Sequence, residues 1–227
     1  RWARRLQEPA WITALRRDAL ATHAKLSWPH KSDDIWRRTD VSLLDPTRGF
    51  APIDPERPPS VTSGQPQIER LVAPLGGEWL LARVNGTWLT QAIPQGWTIE
   101  ELPRAAQRHA EPIRAAIAAD GLTEAEQKLS TLNTAFHHDG LFIRVPANTS
   151  ERTPVRLVHV LVASARQALF PMTVIAVGAG SSVVLIDEYA SIDPAGSAEP
   201  YLVNGRIELC LEPEARVHYV RLQPHQE

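Results

Sequence analysis

Cysteine is almost missing from this sequence. Cys210 is the only one in 227 residues, so no internal disulfide can form, and a structural zinc site built on two or four cysteines is excluded. Such usage suits a reducing cytoplasm and argues against a small secreted scaffold. Methionine is as scarce. Met172 stands alone, so Arg1 is not a native start and the sequence reads as a processed or truncated piece. No charge of one sign prevails: 24 Lys and Arg against 26 Asp and Glu leave a net charge of -2. That excludes a global basic field for nucleic acid, and the clusters Arg16-Arg17 and Arg37-Arg38, like the arginines of residues 1–5, read as solvated faces. Residues 167–186 carry no charge and approach the length of a membrane span. Pro171 and Gly178-Ala179-Gly180 interrupt them, and backbone broken by turn chemistry is not tolerated against lipid, so no membrane span is expected. A phosphate-binding loop is also missing, since Gly178-Ala179-Gly180-Ser181-Ser182 lacks the lysine and the full spacing. No Ser/His/Asp set stands out, so no catalytic residue is assigned.

What is present is repetition. Residues 171–189 and 204–223 each contain a β-rich run, a kink of small or turn residues, and a second β-rich run. Sliding one on the other sets Val177 on Leu211, Ser181 on Ala215, Val183 on Val217 and Leu185 on Tyr219. A fainter copy runs upstream through Leu141 to Val145, then Pro154 onward. Val145, Val177 and Leu211 become equivalent positions. Self-similarity at this period signals a repeat architecture, and strands within each repeat favour a β-solenoid whose coils stack and pair.

The earlier part reads differently. Pro9 to Leu26 has helical spacing, with Trp11, Leu15, Ala19, Thr22 and Leu26 on one face and Arg16 and Arg17 mostly elsewhere. A short helix holding Trp36 is expected around Asp33 to Leu44. Residues 45–66 contain six of the 19 prolines, a composition that predicts a linker. Asn85-Gly86 between two apolar runs predicts a β-hairpin over 78–93, carrying Trp79 and Trp88. Pro103 to His109 and Pro112 to Ala119 predict two helices, the second closed by Gly121. Thr123-Glu124-Ala125-Glu126 matches a capping box, opening a helix through Leu129, Leu132 and Phe136 that Asp139-Gly140 ends. All seven tryptophans lie at or before Trp97. The domain expectation is therefore an N-terminal helical region over 1–138, with the linker and hairpin inside it, and the first coils of the solenoid over 139–227. No cap follows the strand before Pro224 to Glu227, which predicts a further C-terminal portion.

Few residues invite chemistry. His137-His138-Asp139 is a tempting cluster, but adjacent helical histidines point about 100° apart and no third ligand is spaced for them. A polar helix end, favourable to the helix dipole, is preferred, and no metal site is assigned. Cys210 shares a strand phase with Glu208, opposite Ile207, Leu209 and Leu211, and so faces away from the expected core. It is a weak candidate for cofactor binding and reads better as a half-buried spectator. His218 on the next strand is a possible neighbour. Asp187-Glu188 face opposite sides of a strand and cannot flank one glycosidic bond; a charged strand end is expected.

Three phrases together resemble the SufB/SufD family of iron–sulfur cluster assembly scaffold proteins, closer to SufD. Residues 34–43, behind a Trp-rich amphipathic helix, resemble the opening of SufD-type proteins. Asn133 to Pro146, with Pro154 following, is similar to the start of the shared core. Gly180 to Tyr189 and Ala215 to Gln223 are similar to two of its coils. The resemblance implies a right-handed parallel β-helix with a helical N-terminal region and a non-enzymatic scaffold role. It implies association through the β-helix with SufB or a second copy, and with the ATPase SufC through a C-terminal segment beyond Glu227. It also implies an iron–sulfur cluster present transiently in the assembled complex. SufB relatives tend to carry a cysteine at the position of Leu211; here Cys210 stands one residue early, on the other strand face. The competing classes are a carbohydrate-binding or polysaccharide-acting β-solenoid and a metal-dependent cupin-like barrel. The first wants aromatic or acidic residues lined along one face, and the second would use the histidines.

Overall fold

Asn85 and Gly86 have φ angles of 44° and 88°, the two positive values a tight hairpin turn demands. They join β2 (Trp79–Val84) to β3 (Thr87–Gln91), as the dipeptide predicts. A computed structural model describes residues 6–30, 32–33, 36–38, 45, 49–53, 66–118, 122–162, 166–192 and 201–223. Before the hairpin come α1 (Ala10–Lys25), β1 (Ala51–Pro52) and α2 (Pro66–Leu71). After it come β4 (Thr98–Glu101), α3 (Leu102–Arg108), α4 (Ala110–Ile117) and α5 (Glu124–Phe136). The rest is strand: β5 (Asp139–Val145), β6 (Val155–Val162), β7 (Gln167–Leu169), β8 (Pro171–Val177), β9 (Ser182–Ile192), β10 (Leu202–Val203), β11 (Arg206–Leu211) and β12 (Arg216–Leu222). The fold is mixed and mainly strand, as expected. No described helix is long and apolar enough to cross a membrane.

The described strands form three sheets, ordered β11-β8-β5-β4, β12-β9-β6-β2-β3 and β1-β7-β10. The β2–β3 and β4–β5 pairs are antiparallel and all other pairs are parallel. Parallel pairing joins each repeat to its neighbour in the register that the sequence repeat predicts. Val145 partners Val177 and Val177 partners Leu211. Val183 partners Val217 and Leu185 partners Tyr219. The kink between strands also recurs: Asn148, Gly180 and Glu214 have φ of 58°, 65° and 62°. Asn148 N–H donates to Ala179 O and Gly180 N–H to Pro213 O, so the turns form a ladder of their own. Small residues are needed there, since a Cβ on Gly178 would meet Ala147 N at 2.5 Å.

Two apolar layers follow from strand alternation. Residues of one phase, including Leu141, Ile143, Val145, Ile175, Val177, Val183 and Leu185, pack with Leu81, Val155 and Leu157 between the sheets. The other phase of the β5-β8-β11 sheet, with Phe142, Met172 and Val174, packs on Leu102, Ala105, Ile113 and Ala116 of α3 and α4, and on Ile12 of α1. Each fully buried aliphatic side chain contributes about 1.5–3 kcal/mol. The Thr123–Glu126 capping box forms and starts α5.

Several expectations change. The fully buried residues of α1 are Ile12, Arg16 and Ala19; of the rest of the expected face, Trp11 and Leu15 pack half-buried against the same core and Thr22 is exposed. Arg16 is buried because Glu8 pairs with it and the carbonyls of Ala135 and His137 accept its remaining donors. Part of the expected linker is ordered: Ala51 and Pro52 pair with β7 and Ile53 is buried. Residues 46–48 and 54–65 lie outside the described ones. Asp139 and Gly140 open β5 instead of ending α5, which stops at Phe136. Sheet hydrogen bonding crosses residue 138, because β2 pairs with β6 and β4 with β5. Of the short helix expected around Trp36, residues 33 and 36–38 are described, as bend and turn. Most of the 34–43 phrase, together with Arg1 to Arg5, Gly121 and Pro224 to Glu227, lies outside the described residues.

Candidate functional site

The apolar phase between the sheets turns polar at one level. On β2 the inward series Trp79, Leu81 continues with Arg83; on β6, Val155 and Leu157 continue with His159; on β9, Val183 and Leu185 continue with Asp187 and Tyr189. Strand pairing sets Arg83 beside His159 and His159 beside Tyr189. Asp139 joins from the start of β5. Arg83, Asp139, His159 and Asp187 are each at most 3% exposed.

Their contacts form two linked sets. Arg83 Nη2 lies 2.8 Å from Asp139 Oδ1 and donates to Gly86 O at 2.9 Å. The same guanidinium sits 4.8 Å over the Trp88 ring. His159 Nε2 lies 3.3 Å from Asp187 Oδ1, and its ring stacks on Tyr189 at 4.5 Å. The Tyr219 hydroxyl donates to Asp187 Oδ2 at 2.5 Å. Arg221 covers the outer face of Tyr189, 4.6 Å from the ring. Burial and then the Asp187 charge hold both phenols above the ordinary tyrosine range. Arg83 Nε and Nη1, both His159 ring nitrogens, both Asp139 oxygens, Asp187 Oδ1 and the Tyr189 hydroxyl have no hydrogen-bond partner among the described residues, so the Arg83–Asp139 and His159–Asp187 approaches are charge proximities and not directed hydrogen bonds. Buried ion pairs add little net stability over apolar packing, so this layer is where the stack departs most from a pure core. Among the described residues no three His, Cys, Asp or Glu side chains are grouped to hold a metal ion.

The residues singled out by sequence go elsewhere. His137 is the C-cap of α5 and is buried, with Nδ1 3.0 Å from Thr134 O. Burial, then the nearby Arg16 charge, pushes its pKa well below the usual range. Burial likewise lowers His138 to about 4; its Nδ1 accepts from Phe170 N–H at 3.4 Å. Both rings are neutral, so the solvated helix end with charged histidines is not what forms. The triplet also diverges, since Asp139 turns to Arg83 instead.

Cys210 is half-buried and packs beside Phe142, Met172 and Val174, on the sheet face covered by α3 and α4. Its partner across the ladder is Ala176. It thus lies opposite the inward phase and against the helical layer, and burial together with Glu208 raises its thiol pKa. Leu211, one residue on, is half-exposed. His218 is exposed on β12, in the other sheet. Asp187 and Glu188 do face opposite sides, but lie mid-strand, not at a strand end. Glu188 bonds Arg156 at 2.9 Å on the outer face. Arg83, His159, Tyr189 and Tyr219 were not singled out by sequence. The signal that finds them is a polar residue in the inward phase of successive paired strands.

Residues 78–157, from the hairpin to the start of β6, match the family described as SufBD protein N-terminal region. Over that stretch the chain is similar to the SufB/SufD family. It is 34% identical over 87 residues to the iron-sulfur cluster assembly protein SufD of Bacillus subtilis (strain 168). That match takes in 38% of this chain and spans 20% of the length of the curated relative. The matched SufBD segment contains Arg83 and Asp139, so the first ion pair of the buried layer lies inside it, whereas Asp187 and Tyr219 lie beyond it.

Proposed function

We propose that this protein is a SufD-like scaffold of the SUF iron–sulfur cluster assembly machinery, acting by association and not by turnover of a substrate. The SufBD match over 78–157 carries the reading, and the role named for the Bacillus relative agrees with it. In-register parallel stacking of the repeats supports a right-handed parallel β-helix as the associating body. Its partner through that body is a SufB-like protein or a second copy, with main-chain pairing and apolar side chains holding the contact. A SufC-type ATPase supplies the driven motion. The iron–sulfur cluster is transient cargo of the assembled complex, and the work is cytoplasmic, in line with a single reduced cysteine. The carbohydrate-binding alternative draws no support from strands β5 to β12, because no tryptophan follows Trp97. The test is co-purification of the full-length protein with SufB-like and SufC-like proteins from the same source. A stable complex with either is expected; failure of every pairing, with all partners folded, overturns the reading.

A further inference from the structure

We propose that the polar layer between the sheets is a buried water-binding site, in which water molecules join Arg83, Asp139, His159, Thr173, Asp187 and Tyr189. Thr173 belongs to the layer because β8 repeats the pattern of the other strands. The inward phase of β8 runs back from Val177 through Ile175 to Thr173, which is buried. Asp139 on the neighbouring β5 stands two residues before Leu141, the ladder partner of Thr173. Burial dominates the raised pKa of Tyr189, and Thr173 is close enough to oppose it.

Nine polar atoms of this layer have no hydrogen-bond partner among the described residues: Arg83 Nε and Nη1, Asp139 Oδ1 and Oδ2, His159 Nδ1 and Nε2, Thr173 Oγ1, Asp187 Oδ1 and the Tyr189 hydroxyl. All six side chains are buried, with at most 6% exposed. Each orphaned atom forfeits the bonds it makes with solvent in the unfolded chain. Together such losses would offset the whole net stability typical of a folded domain. The mixture of groups decides what meets them. The free guanidinium nitrogens, one ring nitrogen of a neutral His159 and the two hydroxyls remain to donate, while the carboxylate oxygens and the other ring nitrogen remain to accept. An anion would meet two carboxylates. A metal ion would meet the Arg83 guanidinium, and among the described residues no three His, Cys, Asp or Glu side chains are grouped for it. Water both donates and accepts, and a buried molecule typically makes about three hydrogen bonds. A route in lies beside the layer. A cavity of about 230 Å³ is lined by Tyr189 together with Leu161, Ser191, Arg221 and Gln223, and the last two are exposed. The Tyr189 ring thus stands between solvent and the layer. The site rests on these side chains alone and is independent of the scaffold reading.

The test is magnetic relaxation dispersion of water in solutions of the full chain, comparing the parent protein with the double variant Arg83→Met, Asp139→Leu. The parent should show long-lived internal water, and the variant should lose dispersion amplitude equivalent to at least one such molecule. Equal amplitudes from the two folded proteins overturn the proposal. Should the variant not fold, a crystal structure of the parent that resolves ordered water elsewhere in the core decides. Water bridging Arg83 or His159 to Thr173 or Asp139 supports the proposal. A layer without water, or one holding an ion in its place, overturns it.

Discussion

Arg83 shows how far one side chain can depart from its strand's pattern. Its position demands an apolar residue, and a guanidinium occupies it because Asp139 and the Gly86 carbonyl meet it. Arg83→Met leaves Asp139 buried and unpaired, and should lower stability by about 3–5 kcal/mol. The double change Arg83→Met with Asp139→Leu should recover most of that loss, as read from urea unfolding. His137 and His138 make a second prediction. Both are held neutral in the fold, His138 down to about 4, whereas an unfolded histidine takes up its proton near 6.5. Below that value the unfolded state binds more protons, so stability should be intact above pH 6.5 and fall progressively as pH drops toward 4. Urea midpoints flat across that interval would contradict it. Cys210, with its thiol pKa raised, should react with iodoacetamide near neutral pH more slowly than a free thiol, timed by mass spectrometry.

The kink between strands is the decisive element. Its left-handed residue recurs as Asn148, Gly180 and Glu214, and the turns stack by main-chain bonds. Gly178 is the tightest point. Gly178→Ala sets a Cβ 2.5 Å from Ala147 N, and backbone cannot yield as a side chain can. A loss of about 1–3 kcal/mol is expected in a denaturant titration. The helices followed their local signals closely. Capping-box residues and prolines set the starts of α5 and α3, and those are interactions within a few residues. The burial of α1 was less legible. Arg16 joins its fully buried residues because it finds Glu8 and two carbonyls of the α5 end, and helical periodicity holds no record of a partner more than a hundred residues away.

At the scale of the sheets, the described strands of the repeats pair in parallel with their equivalents. β8 is paired on both sides, whereas β11 and β12 end their sheet orders. Amide protection should therefore be highest in β8 and β9 and lowest in β11 and β12. Equal protection throughout would mean that the repeats unfold as one unit. Pairing across residue 138 belongs to this scale too. The hairpin turn was plain in Asn85-Gly86, yet that β2 would extend the sheet of β6 was not, because β2 and β6 are separated by three helices and bear no resemblance in sequence.

The sequence by itself determined the repeat and its register, since Val145, Val177 and Leu211 occupy equivalent positions whatever surrounds them and parallel pairing of like with like continues the main-chain ladder from one repeat to the next. It also determined the turn at Asn85-Gly86 and the start of α5, where the forces act over neighbouring residues. Tertiary structure alone decided which polar residues meet. Arg83 with Asp139, and His159 with Asp187 and Tyr219, come from strands far apart in the chain, and a charged residue in an inward phase becomes tolerable only once the fold delivers its counter-charge.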